Sequence, residues 1–147
     1  MTEFAPLTPI EQPKVRFLVV DDSIFARKSL CKMVDAFGGE VAGEAGDGCI
    51  AITEYARLRP DIVLMDITMP KMEGIEAVSH IVKDFPDARI VMVSSVGYQD
   101  NILSALQRGA RHFVQKPVKP DALYEIIRYV LNDTPVPAPA GEGGSKS

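Results

Sequence analysis

Three short apolar runs, Phe17-Leu18-Val19-Val20, Ile62-Val63-Leu64-Met65 and Ile90-Val91-Met92-Val93, are continuous rather than alternating. Strands buried on both faces read this way, as in a parallel sheet covered by helices. Val41-Ala42-Gly43-Glu44-Ala45 and His112-Phe113-Val114 are more mixed, as edge strands are. Helical patterns fill the intervals, from about Ser23 to Phe37, Gly48 to Arg59, Glu73 to Phe85 and Gln99 to Arg108, with stops at Gly38, Pro60, Pro86 and Gly109. A last helix follows Pro120, where Leu123, Ile126, Ile127, Val130 and Leu131 make one apolar stripe at i, i+3, i+4, i+7 and i+8. Five repeats of strand then helix, joined by right-handed crossovers, predict a doubly wound α/β sandwich.

Composition narrows the class. A chain of 147 residues, 46% hydrophobic and 24% charged, suits one soluble globular domain. Its net charge of -4 argues against nucleic acid as the main partner, because phosphate binding calls for a basic face. No apolar run approaches the ~20 residues of a membrane span, and the N-terminus lacks a secretory pattern, so a cytoplasmic protein is expected. Cys31 and Cys49 fall inside apolar helical patterns and are expected as small buried hydrophobes. Prolines crowd both ends (Pro6, Pro9 and Pro13; Pro135, Pro137 and Pro139), where apolar periodicity is absent. Residues 1–14 and 134–147 are therefore expected as disordered tails around a folded domain over 15–133.

In open α/β sheets ligands bind outside the carboxyl ends of the strands. Here those ends read Asp21-Asp22-Ser23, Asp66, Ser94-Ser95 and Lys116-Pro117, four polar terminations of a sheet whose interior is apolar. An aspartate alone is commonly a helix cap or turn residue. Three on converging strand ends crowd like charges, which a hard divalent cation relieves, and Mg²⁺ suits carboxylates plus a phosphate. An aspartate can also act as a nucleophile toward a phosphoryl group, with Lys116 neutralising charge and Ser94 donating a hydrogen bond.

Taken with the surrounding segments, Val19-Val20-Asp21-Asp22-Ser23, Asp61 through Pro70 with Gly74, Val93-Ser94-Ser95 and Gly109-Ala110 through Lys116-Pro117, this constellation resembles response-regulator receiver domains over about Arg16 to Leu131. Met65-Asp66-Ile67-Thr68-Met69-Pro70 and Gly109 through Pro117 read most like the single-domain, CheY-like members of that family. The resemblance implies a flavodoxin-like five-stranded parallel sheet of order 2-1-3-4-5 with five helices. It implies Asp66 as phosphoacceptor, a Mg²⁺ site from Asp21, Asp22, Asp66 and the Thr68 backbone carbonyl, and Ser94 and Lys116 as phosphoryl-binding residues. Lys116-Pro117 is expected to be cis, and Ser94 with Phe113 to form the switch. Thr68 and Val96 occupy positions that influence dephosphorylation in the family.

The function implied is a stand-alone two-component response regulator that is not itself an enzyme. A CheA-like histidine kinase would phosphorylate it. The surface of the fourth helix, fifth strand and fifth helix would then signal in chemotaxis to a flagellar motor switch protein, with a phosphatase as a further partner. Tyr98, Gln99, Gln115, Lys119 and Tyr124 mark that surface. Two alternatives stand beside it. One is a phosphorelay intermediate passing phosphate to a histidine phosphotransfer protein. The other is a haloacid dehalogenase-type phosphatase, which wants an acid where Thr68 stands and leaves Asp21-Asp22 unexplained. No apolar pattern for a DNA-binding domain follows Asp133, and neither DNA nor a membrane is expected as a partner.

Overall fold

A computed structural model describes residues 4–9, 11–67, 69, 72–95 and 99–132, with backbone alone at 99 and 100. The elements follow in strict alternation: β1 (Arg16–Val20), α1 (Ile24–Ala36), β2 (Glu40–Ala45), α2 (Gly48–Leu58), β3 (Ile62–Asp66), α3 (Gly74–Asp84), β4 (Ile90–Ser94), α4 (Gln99–Gln107), β5 (His112–Gln115) and α5 (Pro120–Asn132). The strands form one parallel sheet of order β2-β1-β3-β4-β5. This is the flavodoxin-like fold expected from the sequence, with the two mixed strands at its edges.

Each central strand feeds both faces in turn. Phe17, Val19, Ile62, Leu64, Val91 and Val93 pack with Leu30 and Val34 of α1 and with Leu123, Ile127 and Val130 of α5. Leu18, Val20, Val63, Met65, Ile90 and Met92 pack beneath Ala51 and Tyr55 of α2, Val78 and Ile81 of α3, and Ala105 of α4. All twelve strand side chains are completely buried. Burying apolar surface on two faces at ~25 cal/mol per Å² supplies the main driving force and explains the unbroken apolar runs.

Helix ends follow from local chemistry. Ser23 Oγ accepts from the Ala26 N–H and Asp47 Oδ1 from the Ile50 N–H, capping α1 and α2. Gly38, at φ +81°, closes α1 in a Schellman turn, with Gly39 N–H on the Val34 carbonyl and Gly38 N–H on that of Asp35.

Two expectations are corrected. The N-terminal segment, expected as a disordered tail, is packed over residues 4–9. The Phe4 ring lies 4.8 Å from Phe37 and 4.7 Å from Tyr124, Leu7 N–H donates to the Phe37 carbonyl, and Tyr124 Oη donates to the Ala5 carbonyl at 2.6 Å. An aromatic trio and two backbone carbonyls that accept hydrogen bonds offset the entropy of ordering a short strap. Residues 134–147, the expected second tail, lie outside the described residues, as does residue 133. The second correction concerns the cysteines: Cys31 is half-buried, and Cys49 is exposed at the start of α2. Among the described residues no helix is long and apolar enough to cross a membrane.

Candidate functional site

The strand register brings the polar strand ends together. Val20 pairs with Met65, so Asp21 stands beside Asp66 at the carboxyl edge of the two central strands. Asp66 pairs with Val93, which sets Ser94 one residue beyond it on β4, and Ser94 pairs with Gln115 ahead of Lys116. Lys116 N–H donates to the Ser94 carbonyl at 2.7 Å, and the Lys116–Pro117 peptide is cis.

One carboxylate oxygen each from Asp21, Asp22 and Asp66 lies within 4.8 Å of the other two. Asp21 is fully buried, Asp66 is 6% exposed and Asp22 is exposed, so the cluster opens to solvent on one side. Lys116 Nζ reaches in between, 3.2 Å from Asp21 Oδ2 and 3.5 Å from Asp66 Oδ1. Burial pushes the Asp66 carboxyl up to about 6, the Asp21 and Asp22 charges push the same way, and Lys116 opposes them. Burial also works against the Lys116 ammonium, but the Asp66 and Asp21 carboxylates outweigh it and raise its pKa. Three carboxylates against one ammonium leave an excess of negative charge on hard oxygen donors. That donor set fits a hard divalent cation.

Asp21 is held at every polar group. Its N–H donates to the Ala45 carbonyl at 3.1 Å, and its Oδ1 accepts from the Ser23 N–H at 2.9 Å. Its carbonyl accepts from Arg27 Nη1 at 2.7 Å, while Arg27 Nε donates to Glu44 Oε1 at 2.9 Å. Arg27 carries no motif signal, and sequence reasoning passed it over. Its position on the second turn of α1, facing the acid of a neighbouring strand end, was the only available hint. Gly74 was part of the recognised pattern, and the structure gives its reason. Its N–H donates to the Ile67 carbonyl at 2.8 Å, and a Cβ there would collide with the Asp66 carbonyl oxygen.

Other expected residues lie at or near this edge. Ser94 is buried, and its Oγ donates to the Ser95 carbonyl at 3.0 Å. Phe113 is half-buried against the core face that carries α4. Thr68, Val96 and Tyr98 lie outside the described residues, as does the side chain of Gln99. Gln115 and Lys119 are exposed. Tyr124, expected on the signalling surface, is instead 7% exposed, because the N-terminal strap covers its ring and the Ala5 carbonyl accepts a hydrogen bond from its hydroxyl.

The response regulator receiver domain family matches residues 17–128. The chemotaxis protein CheY of Thermotoga maritima is 44% identical over 115 residues, which is 78% of this chain and 96% of that one. The Bacillus subtilis CheY is 41% identical over 117 residues, 80% of this chain and 98% of that one. A crystal structure of a CheX-CheY-BeF3-Mg²⁺ complex from Borrelia burgdorferi superposes with a TM-score of 0.77 at 33% identity, covering 80% of this chain and 90% of that one. With its parallel sheet, its acidic edge and these relatives, the chain belongs to the response regulator receiver domain family.

Proposed function

We propose that this chain is a chemotaxis response regulator whose Asp66 accepts a phosphoryl group from a histidine kinase. The observation that carries the reading is Asp66 at the end of β3, ringed by Asp21, Asp22 and Lys116. Its chemotaxis setting rests on the CheY relatives, which this chain spans almost end to end. Signalling rather than substrate turnover is its task, and the cytoplasm is its place.

An Asp66 carboxylate oxygen attacks phosphorus, forming an O–P bond as the P–N bond to a kinase phosphohistidine breaks and the imidazole leaves with its electron pair. The carboxyl must be ionised, and at about 6 its pKa leaves most of it so at neutral pH. Asp21, Asp22, Asp66 and the Thr68 carbonyl would hold Mg²⁺, which when bound neutralises charge on the transferring phosphoryl oxygens. Lys116 is already between Asp21 and Asp66, and it turns to a phosphoryl oxygen once that group adds about -1.5 to -2 charge. Ser94 exchanges its bond to the Ser95 carbonyl for one to the phosphoryl group, which frees volume for the Phe113 ring. The α4-β5-α5 surface then changes for a motor or phosphatase partner.

Intact-mass measurement after incubation with acetyl phosphate tests this. A gain of one phosphoryl group that needs Mg²⁺ and is absent in Asp66→Asn is expected. An adduct that survives the substitution would remove Asp66 from the role. Onward transfer to a histidine phosphotransfer protein would favour a relay over the motor.

A further inference from the structure

Among groups outside the phosphoacceptor cluster, Arg27 is bound most tightly to it. Its guanidinium spans from Glu44 Oε1, at 2.9 Å, to the Asp21 carbonyl, at 2.7 Å, and Lys28 Nζ adds a second cation 3.5 Å from Glu44 Oε2. The Arg27 side chain is 17% exposed and that of Glu44 31%, so the bridge is partly shielded from water at its Arg27 end. It joins three segments: the end of β1, which carries Asp21 and Asp22, the second turn of α1, and the end of β2. A charge-assisted bond fixes direction as well as distance, and a carbonyl taken by Arg27 cannot turn into the acidic pocket.

We infer that Arg27 is a positioning residue for the divalent-cation site, holding the Asp21 backbone so that the Asp21 and Asp22 carboxylates face Asp66 while Glu44 holds Arg27. This rests on the reading of that cluster as a Mg²⁺ site.

Two physical effects of removing Arg27 have opposite signs, which makes the inference decidable. If Arg27 acts only as a nearby cation, Arg27→Met removes one positive charge near the pocket and leaves Glu44 with Lys28 alone, and Mg²⁺ binds more tightly. If it positions the loop, Mg²⁺ binds more weakly. Outer-shell substitutions typically cost 10–100-fold in metal affinity. The low end, about tenfold, is expected because Asp21 keeps its bonds to Ala45 and Ser23.

The test is isothermal titration of the full chain with Mg²⁺ at pH 7.5, for wild type, Arg27→Met, Arg27→Lys and Glu44→Gln, with thermal melts of each. Arg27→Met should weaken Mg²⁺ about tenfold. Arg27→Lys, which has no fork to span both acceptors, should recover only part of that. Glu44→Gln removes a nearby negative charge and so weakens Mg²⁺ on either account. Arg27→Lys, which keeps the charge, serves if Arg27→Met does not fold, and wild-type Mg²⁺ affinity in it overturns the inference. Unchanged or tighter Mg²⁺ binding in folded Arg27→Met overturns the inference, whatever happens to its melting temperature. Wild type that binds no Mg²⁺ overturns the site reading itself, a result distinct from the first.

Discussion

Lys116 Nζ stands 3.5 Å from Asp66 Oδ1, the one cation bound, among the described residues, to the carboxylate proposed to take the phosphoryl group. It is one of the influences that lower the Asp66 pKa, against burial and the Asp21 and Asp22 charges that raise it. Removing it leaves only the upward influences among these. Lys116→Met should therefore move the Asp66 titration above about 6, as followed by carboxyl carbon NMR without Mg²⁺. An unchanged or lower value would mean the ammonium is not seated against Asp66 in solution.

The raised Asp66 pKa also makes a stability prediction. Between 3.8 and about 6 the folded state binds a proton there that the unfolded chain has released, so the stability of wild type declines as pH rises through this window. Asp66→Asn carries no such proton, so without Mg²⁺ the variant should gain on wild type as pH rises from 4 to 7. A shift of about two units bounds the gain at roughly 3 kcal/mol. Urea melts in EDTA across that range read the difference. A gap that shrinks with rising pH would contradict the pocket electrostatics. Adding Mg²⁺ at pH 7 should stabilise wild type more than Asp66→Asn.

Much of this site could be read along the chain because a parallel sheet writes its topology in apolar runs. Asp66 and Lys116 are legible as polar residues ending such runs. Arg27 and Glu44 are not, since a bond across 17 positions leaves no period in either element. The strap was missed for a related reason. Phe4 and Leu7 stand among prolines, and nothing in residues 1–14 repeats at 2 or 3.6. On α5 the pattern was legible but its breadth was underestimated. The buried residues are Leu123, Tyr124, Ile127 and Val130, whereas Ile126 and Leu131 lie at the rim, so the apolar stripe is centred toward Tyr124.

Gly74→Ala should injure the site without touching a charged residue. Its new methyl would meet the carbonyl oxygen of Asp66, and the neighbour that must yield is backbone. Overpacking of this kind costs about 1–3 kcal/mol. Because the displaced atom belongs to Asp66, acetyl phosphate labelling at 25 °C, below the melting point of the variant, should also slow relative to wild type. Wild-type stability and labelling together would show that the loop after β3 has room the structure does not give it.

The N-terminal strap predicts a measurable loss where a disordered tail predicts none. Phe4 is half-buried and contacts the rings of both Phe37 and Tyr124. Phe→Ala at a fully buried position costs about 3–5 kcal/mol, so a partly exposed ring should cost about 1–2 kcal/mol. Tyr124→Phe keeps the ring and removes the donor to the Ala5 carbonyl and the acceptor of Arg128 Nη1, a loss of about 1 kcal/mol. The two residues touch, with ring centroids 4.7 Å apart, so their effects should not add. Once Phe4→Ala has loosened the strap, Ala5 no longer presents its carbonyl, and Tyr124→Phe should cost less than it does in wild type. Urea unfolding of both single variants and the double variant gives the coupling energy directly. A coupling near zero with both single losses intact would place Phe4 and the Tyr124 hydroxyl in separate interactions.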